Sequence, residues 1–407
     1  MSGTEIAVTG LGTVTPAGAG VNATWRTVRE GSSTAANTHP RLAGCPVDFC
    51  ASVENLDTSV VGRRALYRLD RSVQLLLVAA HEALTDAALL GADWDAERVG
   101  VVIGCGMGGV SSWEKQHSRF LGQGPDAVSP LMIPMTTPNM AAGEVALAYG
   151  ARGPSFVVST ACASGATAIS AARGLLASGE CDIVIAGGTE AANTALTVAG
   201  FANLGALSRR REDPAAASRP FDIDRDGFVM AEAAAVLVLE HAAHAAARDR
   251  RPRALLAGCG SATDAHHPTA PHPEGRGASQ AMRAALRAAD LDPGDVDHVN
   301  AHGTSTVLND SVEAHVITGV LPHGPYVTST KGVLGHSLGA TGAVEAVMTV
   351  LAIEQSCIPP TANCENPGPD LDLNLVTKIA ARQRVRAAVS NSFGFGGHNV
   401  VLAFRTP

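Results

Sequence analysis

Ten short runs rich in Val, Ile, Ala and Gly are spread along the chain, and stretches of helical periodicity separate many of them. They read EIAVTGLG, RVGVVIGCG, SFVVST, CDIVIAGG and AAVLVLE, then RALLAGCG, VDHVNAHG, YVTSTK, RAAVSNSFGFGG and VVLAFRT. Apolar runs of this kind belong to strands covered on both faces, so the pattern restricts the chain to an α/β architecture with buried sheets. Helices are expected over Ser72–Leu89, Gly165–Ser178 and Ala278–Ala289. The polar segment AARDRRPR, residues 246–253, divides the chain into residues 1–253 and 254–407. Each part opens on a strand and holds a strand that runs into a chemically loaded loop, the pattern of a duplicated unit.

Several function classes fall away on composition. The 407 residues carry a net charge of −8, which argues against a general nucleic-acid binder. The arginine clusters at 209–211 and 248–253 are short and read as solvated loops. No apolar run reaches membrane-spanning length, since FVMAEAAAVLVLE is short and carries Glu232. Eight cysteines occur without a CxxC pair, and the N-terminus lacks a signal-like apolar region. Together these point to a reduced, cytoplasmic protein without a disulfide framework or a zinc ribbon. Only three lysines occur, Lys115, Lys331 and Lys378, which singles out each of them.

Three motifs compete to carry the chemistry. GCGMGG, residues 104–109, fits a dinucleotide fingerprint, but no second strand ending in an acidic ribose ligand follows it. GHSLG, residues 335–339, matches a nucleophile elbow, with Asp370 or Asp372 and then His398 available to complete a triad around Ser337. That reading makes the chain a serine esterase or acyl hydrolase. The third is Cys162 with His302 and His336. Cys162 lies where SFVVST turns into a helical pattern, and the positive end of a helix favours thiolate. Both histidines lie at strand or loop ends among Gly, Ser and Thr.

The residues around this third set resemble the β-ketoacyl-acyl carrier protein synthases, the elongating condensing enzymes of the thiolase superfamily. The resemblance runs through VTGLGTVTPAG, STACASG, SRPFDIDRDGFVMAE, NAHGTSTVLND, STKGVLGHSLGATGAVEA and SNSFGFGGHN, in the family's order over essentially the whole chain. It implies a thiolase-like fold of two pseudo-repeated α/β halves in an α-β-α-β-α stack. It implies Cys162 as the nucleophile that accepts an acyl group, and His302 and His336 as donors to the enolate of a decarboxylating malonyl thioester. Lys331 and Glu345 match a buried pair that orients the histidines. Backbone N–H groups of Cys162 and Phe395 match an oxyanion hole, and the Phe395 ring a gate. Thr304, Thr306 and Phe393 match the lining around the phosphopantetheine arm, and Trp113 falls near positions lining the acyl pocket. No metal or bound cofactor is implied, since the phosphopantetheine arrives on acyl carrier protein. For that acidic partner, Arg63, Arg64, Arg68 and Arg71 are the expected docking residues, with Arg209 and Arg210 next. The family is dimeric, and residues 129–143 match its interface segment, so the partner is a second copy or a chain-length-factor-like subunit. That non-catalytic subunit, which typically lacks the cysteine, is the remaining alternative for the chain itself. Two departures stand out: Ala231-Glu232-Ala233 replaces the usual G-E-G, and His398 stands where many members carry threonine.

Overall fold

The computed structural model describes residues 5–35 and 39–407, save the side chain of Arg64. All ten apolar runs contain strands. They are β1 (Ile6–Thr15), β2 (Val99–Gly104), β3 (Ser155–Val158), β4 (Ile183–Glu190), β5 (Ala233–His241), β6 (Ala254–Thr263), β7 (His298–Asn300), β8 (Tyr326–Thr328), β9 (Ala387–Gly394) and β10 (His398–Arg405). Six helices cover them: α1 (Arg71–Asp86), α2 (Met140–Tyr149), α3 (Ser164–Ala177), α4 (Arg276–Ala289), α5 (Val307–Val320) and α6 (Thr341–Gln355).

The spatial order of the strands is β3-β2-β4-β5-β1-β6-β10-β9-β7-β8. Adding five to each strand label of the first half therefore gives the second half in mirrored order. The directions match as well. In the first half β1/β5 and β5/β4 are antiparallel while β4/β2 and β2/β3 are parallel, and the corresponding four pairs of the second half repeat this. The halves meet through the antiparallel pairs Ala7↔Leu255 and Val8↔Ala254, so the two sheets are joined at one edge rather than separate. The polar segment expected to divide the halves takes in the end of the short helix Ala242–Ala247 and the turn before β6.

Three apolar clusters separate five layers. Leu75, Leu76 and Leu84 of α1 pack on the outer face of the first half-sheet, and Met282 and Leu286 of α4 with Ile317 of α5 on that of the second. Between the sheets lie α3 and α6, with Ile169, Leu176, Val347 and Leu351 in one cluster with Leu237 and Leu402. Their approach is close enough that a side chain at Gly165 would meet the Ala343 nitrogen at 2.7 Å. This central layer explains a sequence property: α6 is buried from Thr341 to Ile353 on all faces, so it lacks the polar stripe of a surface helix. Among the described residues no helix is long and apolar enough to cross a membrane. All eight cysteines are free thiols.

Candidate functional site

Both central helices aim their N-terminal ends at the same place. Cys162 sits in the turn between β3 and α3, where Ala161 adopts φ +50°. That turn is fastened by Ser164, whose hydroxyl donates to the Ala161 carbonyl at 2.6 Å and accepts from the Thr160 N–H at 2.9 Å. His302 follows β7, in a loop held by the buried Glu313 of α5. The N–H groups of His302 and Gly303 each donate to that carboxylate at 2.7 Å, and Asn391 of β9 donates to it at 3.0 Å. His336 precedes α6, and its backbone N–H donates to the Val229 carbonyl at 2.8 Å. The FVMAEA segment is thus a brace for His336, with the Phe228 ring edge-on to the imidazole at 5.1 Å between centroids.

The side chains converge. The imidazoles of His302 and His336 lie edge to face, 5.5 Å between centroids. Lys331 is 1% exposed; its ammonium donates to the His302 carbonyl and to Glu345, and lies 3.4 Å from His302 Nδ1. A cationic neighbour at Nδ1 leaves that nitrogen as acceptor and the proton on Nε2. Burial pushes both histidines well below their ordinary value of 6.5, and the Lys331 charge adds to this, so both are neutral. Burial raises the Glu345 carboxyl to about 7 against the pull of Lys331.

The Cys162 thiol corrects one expectation. A helix N-terminus favours thiolate, yet burial pushes this thiol up to about 12. Lys331 and the backbone N–H groups of Cys162 and Phe395 pull the other way without overcoming it, and Glu190 adds to the rise. Cys162 is therefore a neutral thiol at rest. The same two N–H groups are placed to stabilise an anion formed beside the sulfur.

Cys162, His302 and His336 line one cavity of about 350 Å³, with Phe201, Phe228, Thr304, Thr306, Phe393 and Phe395. The hydroxyls of Thr304 and Thr306 lie 2.8 Å apart on its wall. A thiol, two neutral imidazole donors and two convergent N–H groups in one pocket can hold an acyl group and stabilise an enolate beside it.

The chain matches the family model "Beta-ketoacyl synthase, N-terminal domain" over residues 3–245 and "Beta-ketoacyl synthase, C-terminal domain" over 253–365. It belongs to the β-ketoacyl synthase family. The 3-oxoacyl-[acyl-carrier-protein] synthase 2 of a Synechocystis species is 43% identical over 98% of each chain. That of Staphylococcus aureus is 41% identical over 98% of each. A solved β-ketoacyl synthase from Burkholderia phymatum superposes with a TM-score of 0.94 at 30% identity, covering 99% of this chain and all of the other. A type II polyketide ketosynthase, solved in complex with its acyl-carrier protein and bound to a hexaketide, gives 0.92 at 32% identity, with both chains covered in full.

Against this β-ketoacyl synthase frame the rival motifs resolve. Gly106 and Met107 of GCGMGG donate their N–H groups to the buried carboxylate of Glu190, at 2.8 and 3.2 Å, and Gly339 joins them at 3.2 Å. The loop is an anion cradle, as its glycines suggest, but its anion is a protein side chain. Ser337 has φ −89° and lines a small separate pocket with Thr15 and Thr330, outside the main cavity, and the described contacts tie it to none of Asp370, Asp372 and His398. The elbow reading is overturned.

Other expected residues lie elsewhere. Trp113 is half exposed on the helix Val110–Gln123, stacked on His117, and does not line the cavity. Arg71 grips Glu232 with two donors and the Val53 carbonyl with one, and so braces the fold, while Arg68 pairs with the buried Glu144 and remains exposed. Arg210 donates to the Asp224 carbonyl. Arg63 and Arg209 are exposed, and the side chain of Arg64 lies outside the described residues. The sequence reading missed Glu190 and Glu313. Each leaves a signal: a lone carboxylate ending an apolar strand, and carboxylates at 310 and 313 on the buried face of a helix.

Proposed function

We propose that the chain joins an acyl group held on Cys162 to a malonyl thioester delivered on acyl carrier protein, losing CO2 and releasing a β-ketoacyl thioester. The convergence of Cys162, His302 and His336 on one cavity carries this reading. In the first half-reaction the Cys162 sulfur attacks the acyl thioester carbonyl, and the tetrahedral oxyanion lies against the N–H groups of Cys162 and Phe395. Collapse expels the pantetheine sulfur, which leaves with the proton that Cys162 lost. In the second, the malonyl C–C bond breaks; its electron pair passes into an enolate as CO2 departs. Neutral His302 and His336 donate to the enolate oxygen, and removal of such a donor typically costs on the order of 100-fold in rate. The enolate carbon attacks the acyl-Cys162 carbonyl, and collapse returns the Cys162 thiolate, which is then reprotonated.

Assembly with a second ketosynthase-like chain belongs to the same reading. β3 is an edge strand with Phe156 exposed. α2 packs beside it and exposes Leu147, and the nearby 129–143 segment exposes Leu131 and Ile133. An unpaired apolar edge of this kind is covered in a stable protein. A related solved structure is the ishigamide ketosynthase/chain length factor, with a TM-score of 0.93 at 31% identity.

The test is intact mass after incubation with an acyl-carrier protein donor. One added acyl group, lost in Cys162→Ala and kept in Ser337→Ala, supports the reading, and malonyl-carrier protein then discharges it as a β-ketoacyl product. Labelling that survives Cys162→Ala and vanishes in Ser337→Ala overturns it.

A further inference from the structure

In the outer layer of the second half, one helix surface between Glu274 and Asp290 is purely basic. On α4 the solvent face runs through Arg276, Arg283 and Arg287 and carries no carboxylate between residues 276 and 289. On the neighbouring α5 the exposed positions are Val307, Leu308, Ser311, His315 and Gly319, again without an acid, because Asp310 and Glu313 point inward and are fully buried. The two helices form a shallow groove lined by Arg276, Arg283, Arg287 and His315, with the one carboxylate Glu274 at its end. Arg276 pairs with Glu274 at 2.7 Å, whereas among the described residues neither Arg283 nor Arg287 pairs with a carboxylate. One guanidinium nitrogen of Arg283 donates to the Gly319 carbonyl at 3.3 Å, which fixes the stem of its side chain over α5.

This face begins at the mouth of the catalytic cavity. Gly275, directly before α4, and Val307 and Leu308, at the start of α5, all line that cavity. Val307 and Leu308 are nevertheless 56% and 63% exposed, an apolar step at the entrance. Helical rise places Arg283 about 10 Å and Arg287 about 16 Å along α4 from its first turn. The surface therefore offers apolar contact at the entrance and positive charge one to two nanometres away.

We propose that this α4–α5 face is a landing surface for the acidic side of the carrier protein whose thioester arm enters the cavity. The inference rests on the condensing reading above and adds to it a surface distinct from Arg63 and Arg209. Charge of this kind acts mainly on encounter rate and its salt dependence, and the apolar step supplies contact at closest approach.

The test compares two malonyl donors, malonyl-carrier protein and a malonyl-pantetheine thioester, on acylated wild-type enzyme and on the double variant Arg283→Glu/Arg287→Glu. KM for the carrier-bound donor should rise by roughly 10-fold. kcat should hold, and turnover of the free pantetheine thioester should stay at the wild-type level. Raising the salt concentration should raise the wild-type KM for the carrier and move the variant much less. A second double variant, Arg283→Gln/Arg287→Gln, retains polarity and should give an intermediate KM. An unchanged carrier KM overturns the proposal, and so does an equal loss with both donors, which would place the arginines in the fold rather than in docking. Wild-type protein that condenses neither donor overturns the condensing reading itself, and the landing surface with it.

Discussion

Lys331 ties together the ionisable groups of the site. It is buried against Glu345 and His302, and its charge helps hold both histidines neutral. Removing one partner of a buried pair leaves the other uncompensated, at about 3–5 kcal/mol. Lys331→Met should therefore lower malonyl decarboxylation by on the order of 100-fold, through loss of the His302 orientation, while Cys162 still takes up an acyl group. Release of CO2 and intact mass read the two steps separately, and equal loss of both would refute this division. Burial and the Lys331 charge hold both histidines well below 6.5, so the change in wild-type decarboxylation on the acylated enzyme between pH 6 and 8 should be that of Glu345, whose carboxyl stands at about 7. A transition that survives Glu345→Gln would mean that one of the histidines titrates there. Cys162 titrates above that range: with the thiol near 12, its thiolate fraction grows about tenfold per pH unit across the accessible range. Its alkylation by iodoacetamide should climb from pH 7 to 9 without levelling, and a plateau near neutrality would show that the helix dipole wins over burial.

At the scale of elements, the site is the place where two equivalent helices converge from either half, and glycines set how closely. A side chain at Gly394, the last residue of β9, would meet the Thr160 carbonyl at 2.4 Å and the Cys162 nitrogen at 3.2 Å. Gly394→Ala must push the Cys162 turn away from Phe395 and widen the gap between the two N–H groups. Self-acylation should fall at least 10-fold, with a loss of about 1–3 kcal/mol in stability from overpacking. An enzyme of unchanged acylation rate would show that the turn has room to yield. Elements of this kind were unequally legible in the sequence. The ten strands announce themselves as apolar runs, and α1 and α4 through amphipathic spacing, with ends within a few residues of those expected. Cys162, His302, His336 and Lys331 stood out by residue type within small-residue loops. Glu190 and Glu313 did not, because their role is to satisfy backbone N–H groups of distant loops, a pairing that only the tertiary fold creates. The ion pairs of the arginines were hidden for a related reason, since the carboxylates that hold Arg68 and Arg71 lie 76 and 161 residues away.

At the scale of the whole molecule, the repeated strand order invites the idea of two domains divided at residues 253/254, and the packing argues against independent ones. The largest cluster takes Ile169 and Leu176 from one half and Val347 and Leu351 from the other, and α6 is buried on every face by both sheets. The same interior makes the fold acid-sensitive. His298 on β7 has neither ring nitrogen bonded, and burial lowers it from 6.5 to about 3. The unfolded chain takes up this proton first, so the stability it contributes is complete above pH 6.5 and is lost as pH falls toward 3, at up to about 1.4 kcal/mol per unit. His302 and His336 act in the same sense. His298→Leu should lessen the acid slope of the denaturation midpoint between pH 6.5 and 4.5, and an unchanged slope would mean that His298 finds a partner when charged. The stronger test concerns the halves. We propose that 253/254 marks the boundary of a duplicated unit that has lost autonomy. Expressed alone, residues 1–253 would leave the inner faces of their sheet and of α3 uncovered, and residues 254–407 would expose a largely apolar face of α6. An exposed face of that size drives association rather than a cooperative fold. Neither half should show a sharp thermal transition or near-ultraviolet circular dichroism. Co-expressed, they should pair through β1 and β6 and recover self-acylation at Cys162, since Cys162 of the first half shares its cavity with His302, His336 and Phe395 of the second. Cooperative unfolding of either half by itself would show that its own outer cluster suffices, and that the shared layer is an addition to two complete domains.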